Sequence, residues 1–360
     1  MHKEQFINRR IAVTGACGTV GKELVRQIME GCTPDELLCI DNNESELFFL
    51  EQQYSTYGNA TFFIADVRDR LRMASLFKGV DVVFHAAAYK HVILCERSPM
   101  EAAQTNVMGV SNIIEAALRG KVGKVIFTSS DKAVNPTNVM GTSKLMGERL
   151  ITAANSTQRG KRRTVFASTR FGNVLGSRGS VLPIFYRQIA HGGPLTLTDE
   201  RMSRFIMSIQ EAVRLVIDSA ALACGGEVFV TKMPAIWIRD LAEVMISELA
   251  PRFNRSPVDI AVRIIGSKPG EKLYEELMNE EEKARTVELE QYFAVIPAFR
   301  SMYDQIDYTY SGVKTASLSS AYTSESQTPM TKAELLTFLT TNGLLTDMHG
   351  ESHPDQRYWP

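Results

Sequence analysis

A glycine-rich octapeptide, Thr14-Gly15-Ala16-Cys17-Gly18-Thr19-Val20-Gly21, constrains the fold of this chain more than any other stretch. The apolar run Arg10–Thr14 reads as a strand leading into it, and Gly21–Glu30 reads as the helix leaving it. Gly15 permits a tight turn, Gly18 lets the backbone approach a pyrophosphate, and Gly21 lets the helix pack closely on the sheet. The helix N-terminus offers free amides and the positive end of a dipole to phosphates, and Thr19 and Val20 count with the glycines as cofactor-contact candidates. A second strand, Glu36–Ile40, ends at Asp41. A carboxylate there accepts hydrogen bonds from both adenosine ribose hydroxyls and repels a 2′-phosphate, which favours NAD over NADP. The plainer alternative for Asp41 is a solvated turn residue before Asn42-Asn43.

Downstream, apolar runs and amphipathic stretches alternate. Strands are expected at Thr61–Ala65, Val80–His85, Lys124–Thr128 and Arg163–Arg170. Helices are expected at Glu44–Tyr54, Arg70–Phe77, Pro99–Leu118 and Lys144–Asn155. This alternation predicts an α/β fold, a Rossmann-type doubly wound parallel sheet with right-handed crossovers. Further helices are read at Pro183–His191, Gln210–Ala223 and Lys332–Asn342, with loop across Ser301–Met330. Turn residues become denser from Gly192 onward. Residues 1–170 are therefore expected to form the NAD-binding core. Residues 171–345 mainly form a smaller substrate-binding lobe interleaved with it, and 346–360 form a mobile tail.

Composition narrows the class. Hydrophobic residues make up 44% and charged residues 22%, with a formal net charge of −1. That balance offers no nucleic-acid surface and no membrane-binding face. The five cysteines form no CxxC pair, so reduced thiols in a cytoplasmic protein are expected. The polar N-terminus is no signal peptide, and no apolar run is long enough to span a bilayer. His85 and His91 do not form a metal pair, and His85 reads as a satisfied structural histidine.

Candidate chemistry collects at strand ends, where open parallel sheets bind ligands. Thr128-Ser129-Ser130-Asp131-Lys132 closes the fifth strand and sets a hydroxyl, a carboxylate and an ammonium in sequence, a plausible acid–base set. Met140-Gly141-Thr142-Ser143-Lys144 opens a helix whose Lys144 reaches the nicotinamide ribose. Asp66-Val67 ends the third strand and suits an adenine amino group. Ala86 and Ala87 follow the fourth strand and are small enough to pass beneath a cofactor. A surface turn, a solvated helix lysine, a loop aspartate and simple packing are the respective plainer alternatives.

Together the stretches TGACGTVG, HAAAYKHV, TSSDKAVNPTNVMGTSK, RFGNVLGSRGSV, DERMSRF and KPGEKLYEEL resemble the extended short-chain dehydrogenases of the polysaccharide-biosynthesis branch, and within it the UDP-N-acetylglucosamine 4,6-dehydratases. The resemblance implies C4 oxidation by NAD, loss of water across C5 and C6, and hydride return to C6. It departs from the usual YxxxK signature, because Met140 stands where tyrosine is usual. Membrane-anchored members of the branch share that methionine and tend to retain configuration at C5, so this chain looks like their soluble catalytic portion and retention is expected. Ser130, Asp131 or an ordered water then takes the C4 hydroxyl proton. Lys132, its basicity lowered by burial and by Lys144, takes the C5 proton, and Asp131 protonates the leaving C6 hydroxyl.

The resemblance further implies substrate contacts from Asn173. Arg178, Ser180 and Arg204 suit a diphosphate clamp, though for Arg204 a surface salt bridge is as good a reading. Pro269-Gly270-Glu271-Lys272 reads as a turn opening a helix, with Glu271 on the substrate side and Lys268 where the branch often has arginine. Lys90 and His91 shape the rim. A homo-oligomer, dimer or larger, follows from helix pairing in this fold. Rival readings are a nucleotide-sugar epimerase or reductase, which needs the missing tyrosine, and a non-catalytic NAD-binding sensor.

Overall fold

A computed structural model describes residues 3–156, 158, 163–176, 180–266, 271–315, 318 and 320–345. Its chain contacts group into two compact units. The first contains residues 1–171, 210–232 and 276–322; the second contains 172–209, 233–275 and 323–360.

The first unit is built on apolar runs rich in β-branched and aromatic residues, which form a nine-stranded sheet. Its strands are β1 (Arg10–Thr14), β2 (Glu36–Asp41), β3 (Ala60–Ile64), β4 (Val82–His85), β5 (Lys124–Ser130), β6 (Val165–Phe171), β7 (Val228–Thr231), β8 (Thr286–Glu288) and β9 (Tyr292–Val295). The order across the sheet is β8-β9-β7-β6-β5-β4-β1-β2-β3. From β3 to β7 neighbouring strands are parallel; β9 runs antiparallel to β7 and to β8. The chain leaves β1 outward through β2 and β3, then crosses back to β4 on the other side. That reversal is the topological switch point at which such sheets bind ligands.

Ala12, Leu38, Val83, Val125 and Phe166 from the sheet pack with Ile113, Ala116 and Ala117 of helix Gly109–Gly120 in one buried core. Each of the valine, leucine, isoleucine and phenylalanine side chains taken fully from water contributes roughly 1.5–3 kcal/mol.

One helix expectation is met and one needs correction in this unit. The helix expected over Pro99–Leu118 is present, running from Pro99–Ala103 through a π turn at Gln104–Met108 into Gly109–Gly120, and a separate helix Val92–Arg97 precedes it. Ser98 leaves the helical region between the two and Pro99 opens the second, where its missing N–H costs nothing. The helix expected from Lys144 begins earlier, at Val139, because the Asn138 side chain caps it by accepting from the Gly141 amide at 2.8 Å.

The second unit packs Leu182, Phe185, Ile189, Leu241, Met245 and Leu335 into its own core. It carries a small sheet of Asn173–Val174, Ser203–Met207 and Ala235–Trp237. The helix expected to open at residues 269–272 is absent from the described part, 271–275, which has no regular structure. The groups there are held individually: the Leu273 carbonyl accepts from the Ser203 amide at 3.1 Å, and the Glu275 amide donates to Ser324 Oγ at 2.9 Å. Lys268, Pro269 and Gly270 lie outside the described residues, as does the tail expected at 346–360. The loop expected over Ser301–Met330 contains one short strand, Tyr322–Thr323, and the 3-10 turn Arg300–Tyr303 overlaps its start.

Candidate active site

The glycine loop lies against the end of β4. Gly15 has φ +73°, and a Cβ there would come 2.6 Å from the Ala87 amide nitrogen. At Gly21 a Cβ would lie 1.9 Å from the Gly15 carbonyl oxygen, so helix Thr19–Gly31 seats on the loop only with glycine there. Gly18 occupies the N-cap without a side-chain hydrogen bond, which leaves the first-turn amides at Thr19 and Val20 without a side-chain competitor. Asp41 closes the loop from β2: one carboxylate oxygen accepts from the Cys17 amide and the other from the Asn43 amide, both at 2.9 Å. Burial first, then the Asp41 charge, pushes the Cys17 thiol up to about 12, so it is no nucleophile at neutral pH. Asp66 is gripped by the Arg68 guanidinium and by Asn42. Val67 is buried against Gly109.

Beside this loop lies a buried polar row. Thr14 on β1 pairs in register with His85 on β4, which pairs with Phe127 on β5. Thr14 Oγ1 and His85 Nδ1 are 2.7 Å apart. The His85 Nε2 is buried with no hydrogen-bond partner among the described residues, so this histidine is half satisfied, contrary to expectation. Burial, with Lys144 second, drives its pKa down to about 3 and keeps it neutral.

Lys144 reaches the row from helix Val139–Ala153. Its Nζ donates to the Thr128 carbonyl at 2.8 Å and sits 4.4 Å over the Phe127 ring. Burial lowers its pKa to about 8, against the opposing charge of Glu148.

The hydroxyl, carboxylate and ammonium at the end of β5 do meet. Ser130 Oγ donates to Asp131 Oδ1 at 2.6 Å, and Lys132 Nζ lies 3.0 Å from Asp131 Oδ2. Asp131 is buried, while the Lys132 side chain is 35% exposed. The buried ammonium is therefore that of Lys144, not that of Lys132, which corrects the expectation of a desolvated Lys132. Met140 is buried beside Cys95 and Ala102. Its thioether offers no proton in either direction. Lys90 and His91 are exposed, and His91 starts helix Val92–Arg97 without capping it through its side chain.

In the second unit, Asn173 Nδ2 donates to Glu275 Oε1 at 2.7 Å. Arg204 is neither a free clamp nor a surface salt bridge. Its side chain is 11% exposed, and it donates to the carbonyls of Ser203, Leu273 and Lys272 while lying 3.5 Å from Glu275. Its fork is spent on holding the irregular stretch 271–275. Glu271 accepts from Thr198 at 3.3 Å. Ser180 caps helix Val181–Ala190 in backbone only, and its buried Oγ has no partner among the described residues. Arg178 lies outside the described residues.

Sequence reading missed one cluster altogether. Arg170 on β6, fully buried, binds Glu148 of the Lys144 helix and Glu282. Only its place in the RFGNVLGSRGSV block hinted at it. Among the described residues no group of His, Cys, Asp or Glu is arranged to hold a metal, and no helix is long and apolar enough to cross a membrane.

Several known proteins are similar to this chain. An uncharacterised membrane protein of Methanocaldococcus jannaschii is 52% identical over 292 residues, covering 81% of this chain and 87% of its own. The UDP-N-acetylglucosamine 4,6-dehydratase (inverting) of Campylobacter jejuni is 36% identical, covering 84% and 87% respectively. The chain spans only 46% of the Staphylococcus aureus capsular polysaccharide biosynthesis protein CapD, at 43% identity over 77% of itself. Proteins named UDP-glucose 4-epimerase from Rickettsia species also match at 36% identity, the Rickettsia canadensis one over 93% of this chain and 96% of its own. Among solved structures, Pen from Bacillus thuringiensis superposes with TM-score 0.86 at 38% identity, over 95% of this chain and 99% of that one. The family model described as polysaccharide biosynthesis protein matches residues 11–297. The chain thus belongs to the polysaccharide biosynthesis protein family of extended short-chain dehydrogenases, the dehydratase- and epimerase-type enzymes that act on nucleotide sugars.

Proposed function

We propose that this protein is a 4,6-dehydratase that converts UDP-N-acetylglucosamine to a UDP-4-keto-6-deoxy-N-acetylhexosamine. The observation that carries the reading is the Ser130–Asp131–Lys132 network at the end of β5. A 4-epimerase has no C6 leaving group to protonate and no C5 proton to remove, so it gives Asp131 and Lys132 no task. It also relies on the tyrosine that Met140 replaces.

The residues fit a dinucleotide. Gly15, Gly18, Thr19, Val20 and Gly21 form a loop without bulky side chains beneath a helix N-terminus, backed by Thr14 and by Ala86 and Ala87. Asp41, Asp66 and Val67 line the adenosine side, and Lys144 the nicotinamide ribose. NAD, when bound there, supplies hydride acceptance at C4 and hydride return at C6. The Asp41 carboxylate favours it over NADP. Fluorescence titration is expected to show NADP binding on the order of tenfold or more weaker, the effect of about 1.4 kcal/mol of charge repulsion; equal affinities would remove Asp41 from this role.

The protein's own groups handle four proton transfers that close on themselves. The C4 hydroxyl proton passes through Ser130 to the Asp131 carboxylate. Lys132, as the free amine, takes the C5 proton, which the C4 ketone has made acidic. Asp131 then gives its proton to the departing C6 hydroxyl, and water leaves. At that point Asp131 is a carboxylate and Lys132 an ammonium, the two groups lying 3.0 Å apart. Lys132 finally returns a proton to C5, which restores the starting amine and carboxylate. Asn173, Ser180, Arg178, Glu271, Lys90 and His91 are proposed substrate contacts. Arg204 acts by holding segment 271–275. The domain division expected above, a cofactor core and a substrate lobe, is part of the proposal.

The test is incubation with UDP-N-acetylglucosamine in deuterated water, followed by NMR. A 4-keto-6-deoxy product with deuterium at C5 is expected, with coupling constants showing retention at C5. No product, with NAD binding intact, overturns the substrate assignment. Assembly as a homodimer or larger is proposed from Ile93, Leu94, Met100 and Met108, which stay 56–67% exposed along the helical stretch 92–108. Sedimentation velocity is expected to show no monomer at micromolar concentration, and a monomer would refute it.

A further inference from the structure

Within the first unit, a line of buried charge runs away from Lys144. Lys144 and Glu148 are four residues apart on helix Val139–Ala153 and so share a face. Glu148 is 2% exposed. Arg170 grips both of its oxygens, with Nε at 3.0 Å from Oε1 and Nη2 at 2.7 Å from Oε2. The same guanidinium donates to Glu282 twice, at 2.9 and 3.0 Å, and to the Leu277 carbonyl at 2.8 Å. All five N–H groups of Arg170 are thereby used, a pattern a lysine cannot copy.

The charges then balance in a telling way. Arg170 needs one carboxylate for neutrality and has two, and Arg285, whose charge also reaches Glu282, is itself paired with Glu281; the remaining negative charge acts on the ammonium of Lys144 through Glu148. An ammonium buried without counter-charge is costly and deprotonates instead. His85 stays neutral and offers none. Asp131 already faces Lys132, and Glu96, from helix Val92–Arg97, is taken by the Val139 amide.

We propose that Arg170 and Glu282 are positioning residues: by fixing Glu148 one turn beyond Lys144 on the same helix with one carboxylate in excess, they keep Lys144 an ammonium. The lysine that this reading places on the nicotinamide ribose is thereby tuned from the segment Asn279–Glu282, whose capping box presents Glu282 to Arg170. The inference rests on the proposed cofactor role of Lys144 only for its consequence, not for the charge balance itself.

Two measurements separate these. The first is direct titration of Lys144 by NMR of lysine-labelled protein, in wild type, Glu148→Gln and Glu282→Gln. The Lys144 titration is expected to move to lower pH by about one unit or more in Glu148→Gln, and in the same direction in Glu282→Gln. The second is NAD affinity against pH. Because affinity is lost as the ammonium deprotonates, its alkaline limb is expected to move down with the titration. A lowered melting temperature with an unmoved Lys144 titration in both variants reduces the triad to a structural one and overturns the proposal. A titration that moves while the NAD limb stays put keeps the charge balance and overturns the cofactor role of Lys144.

Discussion

A Lys132→Met variant is expected to bind NAD and UDP-N-acetylglucosamine as the wild type does, yet to lose deuterium uptake at C5 and product formation by about 10²–10⁴-fold, the range for removal of a general base. The reason is local. Met140 cannot accept a proton, and Lys144 is turned to the Thr128 carbonyl. Ser130 and Lys132 both donate to Asp131. Lys132 is the amine in that network, and its partial exposure keeps it accessible to a ligand. Methionine keeps most of the stem and removes the amine, so a loss of turnover without a loss of binding isolates proton transfer from positioning. Wild-type exchange at C5 in this variant would take Lys132 out of the mechanism and leave the 4,6-dehydratase reading without its base.

How far the residues announce this arrangement depends on how local each constraint is. The glycine loop is legible because its rule is a steric one between neighbours: Gly21 meets the Gly15 carbonyl, and Gly15 meets the first residues after a strand. The central strands are legible because each is a buried run bounded by turns. The second unit was harder, since strands of three residues such as Leu195–Leu197 and Ala235–Trp237 carry no periodicity to read. The exchange of roles between Lys132 and Lys144 was illegible for another reason. Burial of a long side chain depends on the direction in which its element presents it. Asn138 caps the helix at Val139, and the face carrying Met140 and Lys144 is buried. Arg170 was hidden most deeply, because its partners lie 22 and 112 residues away along the chain.

Arg170→Met is expected to destabilise the protein by about 3–5 kcal/mol, the cost of leaving a buried ion pair with one sign uncompensated, or roughly 6–20 °C in melting temperature for a unit of this size. The effect has a sign in pH. Burial by itself would push the Glu282 carboxyl up, but the charge and hydrogen bonds of Arg170 outweigh it and hold the group below the usual range. A depressed carboxyl contributes stability above its unfolded pKa and loses it as pH falls through the folded one. Without Arg170, burial meets only the weaker opposition of the Asn279 amide and the Arg285 charge, and the carboxyl is expected to rise above its unfolded pKa. Its contribution is then lost as pH rises, so the variant gains relative to wild type on acidification. The melting-temperature gap between the two is expected to narrow from about pH 8 to about pH 5; a constant gap would mean that packing, not charge, is what the arginine provides. Replacing all three members together, Arg170→Met with Glu148→Leu and Glu282→Leu, is expected to restore most of the stability, since apolar groups fill such sites as well as ions do. It cannot restore the counter-charge of Lys144. A variant that melts like wild type while its lysine has lost the ammonium separates what the triad does for the fold from what it does for the site.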